Sequence, residues 1–176
     1  MTNTTHRFFS LVLVSILAAC GGGGDGLPDD NDGDVPPTGC IMKLEGEVSG
    51  NFTCIATGGK SAEDSSSVIG AVTTGISGEV DTITFALEVD GELARRAYAA
   101  GDIITGGVVV VLDGGNGYLA AVGTENNMGS VGSVTITGLE EVAREDGTVV
   151  WEIHGSFGAT LVNPQTHKQV RLTATF

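Results

Sequence analysis

The chain reads as an all-β domain, with an antiparallel two-sheet β-sandwich as the expected architecture and a closed or half-open β-barrel as the alternative. Three observations lead there. From Cys40 onward, apolar and polar residues alternate with a period of two. The stretches between the alternating runs carry Gly, Asn and Asp, the residues that tight turns demand. With 28 glycines, 17% charged and 5% aromatic residues, the composition suits many short strands better than long surface helices.

The strands follow in order. Met42, Leu44 and Val48 alternate with Lys43, Glu45 and Glu47; Phe52, Cys54 and Ala56 alternate with Asn51, Thr53 and Thr57, with Ile55 intruding. Ser49-Gly50 marks a turn between these two runs. Further strands are expected at Val68 to Thr74, Thr82 to Val89, Val108 to Leu112, Tyr118 to Gly123, Val131 to Thr137, Val149 to Val162 and Gln169 to Phe176. Asp90-Gly91, the run Asp113 to Gly117 and Asp146-Gly147 are hairpin signals. Leu93 to Ala99 reads as a short strand or a single helical turn. No other stretch supports a helix well, Leu139 to Glu145 included.

The last hairpin is the clearest. Val149, Trp151, Ile153, Gly155, Phe157, Ala159 and Leu161 share one face, and Glu152, His154, Ser156 and Thr160 share the other. Asn163 to Thr166 turns the chain, after which Val170, Leu172, Ala174 and Phe176 alternate with Gln169, Arg171, Thr173 and Thr175. An antiparallel sheet with one wet face produces this pattern, and two such sheets face to face make a sandwich. Val108 to Leu112 is apolar throughout, which predicts a central strand covered on both faces or a partner-binding edge.

The amino-terminal residues carry an address. An apolar run from Phe8 to Ile16 follows Arg7 and leads into Leu17-Ala18-Ala19-Cys20, where a signal peptide carries its small-residue cleavage site. Ending that site on a cysteine resembles the lipobox of bacterial lipoproteins. The resemblance implies that residues 1–19 are a leader, that Cys20 receives a diacylglycerol on its thiol, and that the new amino terminus is acylated. It also implies outer-membrane residence, because Gly21 stands where an Asp would retain such a protein at the inner membrane. The apolar run is shorter than the roughly 20 residues of a membrane-crossing helix. The run Ile153 to Leu161 and the ending Leu172 to Phe176 are similar to uncharacterised β-sandwich lipoproteins of predatory and soil proteobacteria, a likeness that brings no activity with it.

Residues 20–39 have no periodic apolar face and read as a flexible Gly/Asp/Pro tether, leaving 40–176 as one β domain. As a coil the tether would span roughly 25 Å, enough to hold the domain clear of lipid headgroups. Asp30-Asn31-Asp32-Gly33-Asp34 offers the hard oxygens that calcium takes, but Val35 and the two prolines break the EF-hand spacing, so a solvated acidic spacer is expected.

Cleavage would remove Arg7 and no acid, taking the formal charge from −14 to −15. Such a chain repels nucleic acid and anionic headgroups, which need Lys or Arg. With Cys20 lipidated, Cys40 and Cys54 remain in an oxidising compartment and are expected to form a disulfide. The bond requires a five-residue loop, Glu45 to Ser49, that sets Cys40 opposite Cys54 and Met42 opposite Phe52. A three-residue loop at Ser49 to Asn51 would instead set Cys54 opposite Gly46. Two cysteines and the distant His154 and His167 do not make a zinc site, and no metal or cofactor is expected.

Three constellations invite a functional reading. Glu152, His154 and Ser156 supply acid, imidazole and hydroxyl, yet alternate residues on one strand lie about 6 to 7 Å apart with nearly parallel side chains, so they do not converge as a triad requires. Gly115-Asn116-Gly117-Tyr118-Leu119-Ala120 matches a dinucleotide fingerprint, but the expected strand after it replaces the required helix. Tyr98, Tyr118 and Trp151 would make a sugar-stacking platform, although Trp151 falls on the expected core face. The function expected is therefore non-enzymatic: a lipid-anchored envelope module that is structural, adhesive or partner-binding. A glycan- or calcium-binding module is the alternative.

Overall fold

In the computed structural model, residues 39–74, 78–122 and 128–176 are described, and they form one compact unit. The fold is all-β, as expected. Its strands are β1 (Cys40–Gly46), β2 (Gly50–Lys60), β3 (Ser66–Thr73), β4 (Val80–Asp90), β5 (Ala97–Tyr98), β6 (Ile103–Leu112), β7 (Gly117–Ala121), β8 (Gly129–Glu145), β9 (Thr148–Val162) and β10 (Gln169–Thr175). One 3-10 turn, Ala100–Asp102, precedes β6. Leu93 to Ala99 thus resolves into the short strand β5. The leader, Cys20 and nearly all of the tether lie outside the described residues.

The strands hydrogen-bond in the order β1-β10-β9-β2-β3-β4-β6-β7-β8-β5, with further pairings β1–β2, β9–β7 and β9–β8. The ladder therefore returns on itself. β9 makes this possible because it is long enough to change partners: Val149 to Glu152 pair with β2, while Ser156 to Val162 pair with β10. Its other edge runs along β8 from Thr148 to Thr160. All pairings are antiparallel except a two-residue parallel contact of β7 with β8.

The core forms where the period-two reading puts it. Met42, Leu44, Phe52, Ile69, Ile83, Phe85, Leu87, Val110, Ile136, Phe157, Leu161 and Leu172 are buried. Phe85 stacks on Phe157 with ring centroids 4.5 Å apart and lies 6.1 Å from Phe176, so β4 faces β9 and β10 without sharing a ladder with them. Such aromatic pairs add roughly 0.5–1.5 kcal/mol beyond their burial. Burying polar groups costs stability unless they are bonded. Among the described residues, buried Ser66, Ser67 and Asn163 meet that condition: Ser66 donates to Glu88, Ser67 to the Gly91 carbonyl at 2.7 Å, and Asn163 Oδ1 accepts from the amides of Gln165 and Thr166.

The first hairpin adopts the five-residue loop. Cys40 pairs with Cys54, Met42 with Phe52 and Leu44 with Gly50, and the two sulfurs stand at disulfide distance, 1.99 Å. The tight Ser49 to Asn51 loop is excluded, because Gly50 and Asn51 already belong to β2. Asp146-Gly147 makes the two-residue β8–β9 turn, both residues with positive φ (50° and 79°) as such a hairpin demands.

Leu139 to Glu145, where the sequence supports no helix well, is the far half of β8 and is extended. Two expectations change. Asp90-Gly91 turns the chain without making a hairpin: β4 pairs with β6, and the segment between them drops Leu93 against Gly58 and Ile153. Val108 to Leu112 is an interior strand between β4 and β7, with Val109 and Val111 only half-covered on the outward side.

Candidate functional site

Two features stand out on the outward face of the sheet. The first is a row of mainly aliphatic side chains, interrupted by Thr84 and aligned by register: Ile55 pairs with Val72, Val72 with Thr84, Thr84 with Val109, Val109 with Leu119, and Leu119 with Val162. All are half-buried; Thr84, Val109, Leu119 and Val162 lie between two buried residues each and so point away from the core, and Ile55 and Val72 each follow a buried residue. At a strand spacing of about 4.8 Å the row runs roughly 24 Å across six strands. It deepens at β6 and β7 into a hollow of about 200 Å³ bounded by Val109, Val111, Leu119, Gly117, Pro164 and Gln165. Burying apolar surface contributes roughly 25 cal/mol per Å², so such a row is a stabilising contact in waiting.

The second is an open groove of about 420 Å³ over β8, β9 and β10, lined by Ser130, Gly132, Ser133, Gly158, Ala159, Thr160 and Arg171. A bulge shapes it. Val131 pairs with Ala159 and Val134 with Phe157, so Gly132 and Ser133 together oppose Gly158. The floor is necessarily bare, since a Cβ on Gly132 would lie 2.6 Å from the Gly158 carbonyl oxygen. Arg171 pairs with Thr160, which pairs with Ser130, so guanidinium and hydroxyls share one cross-strand row.

Glu45 stands opposite Arg171 in the β1–β10 ladder, but its carboxylate lies 2.6 Å from the Lys43 ammonium. The hydrogen bond and charge of Lys43 hold the Glu45 carboxyl below its usual range. Among the described residues Arg171 makes no ion pair.

A third polar cluster is structural. Tyr118 is buried and donates to Glu47 at 2.9 Å, and Lys168 grips the same carboxylate from the β9–β10 turn. Burial first, then the bond to Glu47 and its charge, push the Tyr118 phenol up to about 12.

The residues singled out from sequence fall as follows. Glu152, His154 and Ser156 lie on the outward face of β9; Glu152 and His154 approach only to 3.9 Å, and the imidazole lies over Gly138 instead of reaching Ser156. The Gly115 to Ala120 segment is the β6–β7 turn, with Gly114 and Gly115 at positive φ, running straight into strand β7. Tyr98, Tyr118 and Trp151 are all buried, so they offer no stacking platform. Cys40 and Cys54 come together, and Cys20 lies outside the described residues. Sequence reasoning placed Arg171 and Thr160 on the outward face but missed the groove, because the bulge at Gly132-Ser133 has no signal beyond a glycine.

No family model, curated protein or solved structure matches this chain.

Proposed function

We propose that this protein is a lipid-anchored module of the bacterial outer membrane that holds an envelope partner through its outward sheet face and catalyses nothing. The row Ile55, Val72, Val109, Leu119 and Val162, aliphatic except where Thr84 stands between Val72 and Val109, carries the reading. In a chain with a net charge of −14, solubility is maintained elsewhere, and a register-aligned apolar row is a surface that a partner can cover. The lipobox resemblance at Leu17 to Cys20 supports the anchor, with two or three acyl chains holding far more firmly than one. The tether supplies reach.

The architecture we favour within the all-β fold is a β-sandwich. The stacking of Phe85 on Phe157 between unpaired strands supports two facing layers; the returning ladder keeps a half-open barrel as the second reading. The test is affinity capture from envelope extracts with the tagged protein, in parallel with Val109→Asp and Leu119→Asp. One and the same envelope protein should be recovered by the wild type and by His154→Ala, and lost with both row variants while their melting is unchanged. Equal capture by folded row variants refutes the reading.

A further inference from the structure

We propose that the groove over Gly132 and Gly158 binds a carboxylate-bearing saccharide, with Arg171 taking the carboxylate and Ser130, Ser133 and Thr160 meeting the sugar hydroxyls. The proposal is independent of the partner surface, which lies along a different cross-strand row.

Four features converge on this ligand. Among the described residues Arg171 makes no ion pair: it acts on Glu45, opposite it in the ladder, only through its charge, because the carboxylate of Glu45 is bonded to Lys43. A guanidinium presents its donors as a planar fork that fits a carboxylate in two parallel bonds. The three hydroxyls donate and accept at once, which suits a ligand whose own groups do the same. The bulge spends an extra residue to bring Ser133 to the rim, and bulges recur where a side chain must be re-aimed beside a site. The bare floor lets one face of a sugar ring approach the backbone, and about 420 Å³ falls in the roughly 300–1,000 Å³ range of small-ligand clefts.

Charge selects between anions. Salt screens either anion from charges beyond roughly 8 Å, and within that range a phosphate dianion meets the repulsion of a −14 chain twice over and a single carboxylate once. A uronic acid combines one such charge with several hydroxyls.

The test is calorimetric titration of the full chain with methyl galacturonoside, which carries one carboxylate, at physiological salt, alongside its methyl ester, methyl galactoside and inorganic phosphate. Saturable binding by methyl galacturonoside is expected, weakened at least about tenfold by esterification and by Arg171→Gln, and partly retained in Arg171→Lys. Leu119→Asp should leave it unchanged, which separates this site from the partner surface. No saturable binding, binding that survives Arg171→Gln in a protein of unchanged melting temperature, equal binding of the ester or of methyl galactoside, or tighter binding of phosphate each overturns the proposal.

Discussion

Opening the Cys40–Cys54 link should cost this domain about 3 kcal/mol. The two cysteines are separated by 14 residues, so the bond closes a ring of that size, and the chain-entropy relation gives about 3 kcal/mol for a loop of about 15 residues. Both cysteines are 8% exposed, so replacing them with Ala adds a small packing loss without stranding a polar group. At roughly 4 °C per kcal/mol for a domain of this size, the melting temperature should fall by about 12 °C. Loss of the bond should loosen the β1–β10 corner first, because β1 is tied to β2 on one side and to β10 on the other. The assay is thermal melting of the protein, oxidised and after thiol reduction, with Cys40→Ala/Cys54→Ala as the third sample. Reduced and double-alanine proteins should melt together, well below the oxidised one. If all three unfold within about 2 °C of one another, or if both thiols alkylate freely in the native protein, the constraint is not there.

Further outcomes follow from single residues. Tyr118 should titrate near 12; because its folded value lies above the unfolded value of 10.0, the stability it contributes is complete below about pH 10 and lost as pH rises toward 12. Absorbance of the phenolate would check this, and Glu47→Gln should bring the value down while burial keeps it above 10. Gly155→Ala places a Cβ 2.0 Å from the Thr135 carbonyl oxygen and should destabilise by about 1–3 kcal/mol in denaturant melts, whereas Gly101→Ala, with nothing within 4 Å, should be near neutral. Glu152→Gln, His154→Ala and Ser156→Ala should each remain within about 0.5 kcal/mol of wild type, since they change outward, weakly bonded side chains. Cys20→Ser should abolish incorporation of labelled lipid and leave the precursor uncut; persistent acylation would contradict the anchor.

The parts of the fold that were legible are those where one strand face meets the core and the other meets water. β9 and β10 alternate cleanly for that reason, and the Cys40–Cys54 pair resolved the register of the first hairpin. The far half of β8 was opaque: Glu140 to Glu145 are exposed on both faces, so no apolar period marks the strand. Asp90-Gly91 carries hairpin chemistry, but turn chemistry does not name the partner strand, and β4 takes β6 instead. The candidate surfaces were legible only as fragments. Ile55 read as an intrusion and Val108 to Leu112 as an apolar run, and only the pairing across six strands lines Ile55, Val109, Leu119 and Val162 into one row. Arg171 stood on an outward face from the start; that its carboxylate neighbour belongs to Lys43 is a fact of side-chain geometry.

The partner surface is tested most directly in intact cells, by placing a photo-crosslinking side chain at Leu119 in the aliphatic row and, separately, at Ser156 on the outward face of β9. The position at Leu119 should yield one discrete adduct with an envelope protein, and the position at Ser156 should yield none. Absence of an adduct from Leu119 in a folded, membrane-associated protein, or the same adduct from both positions, would contradict a partner held on that row.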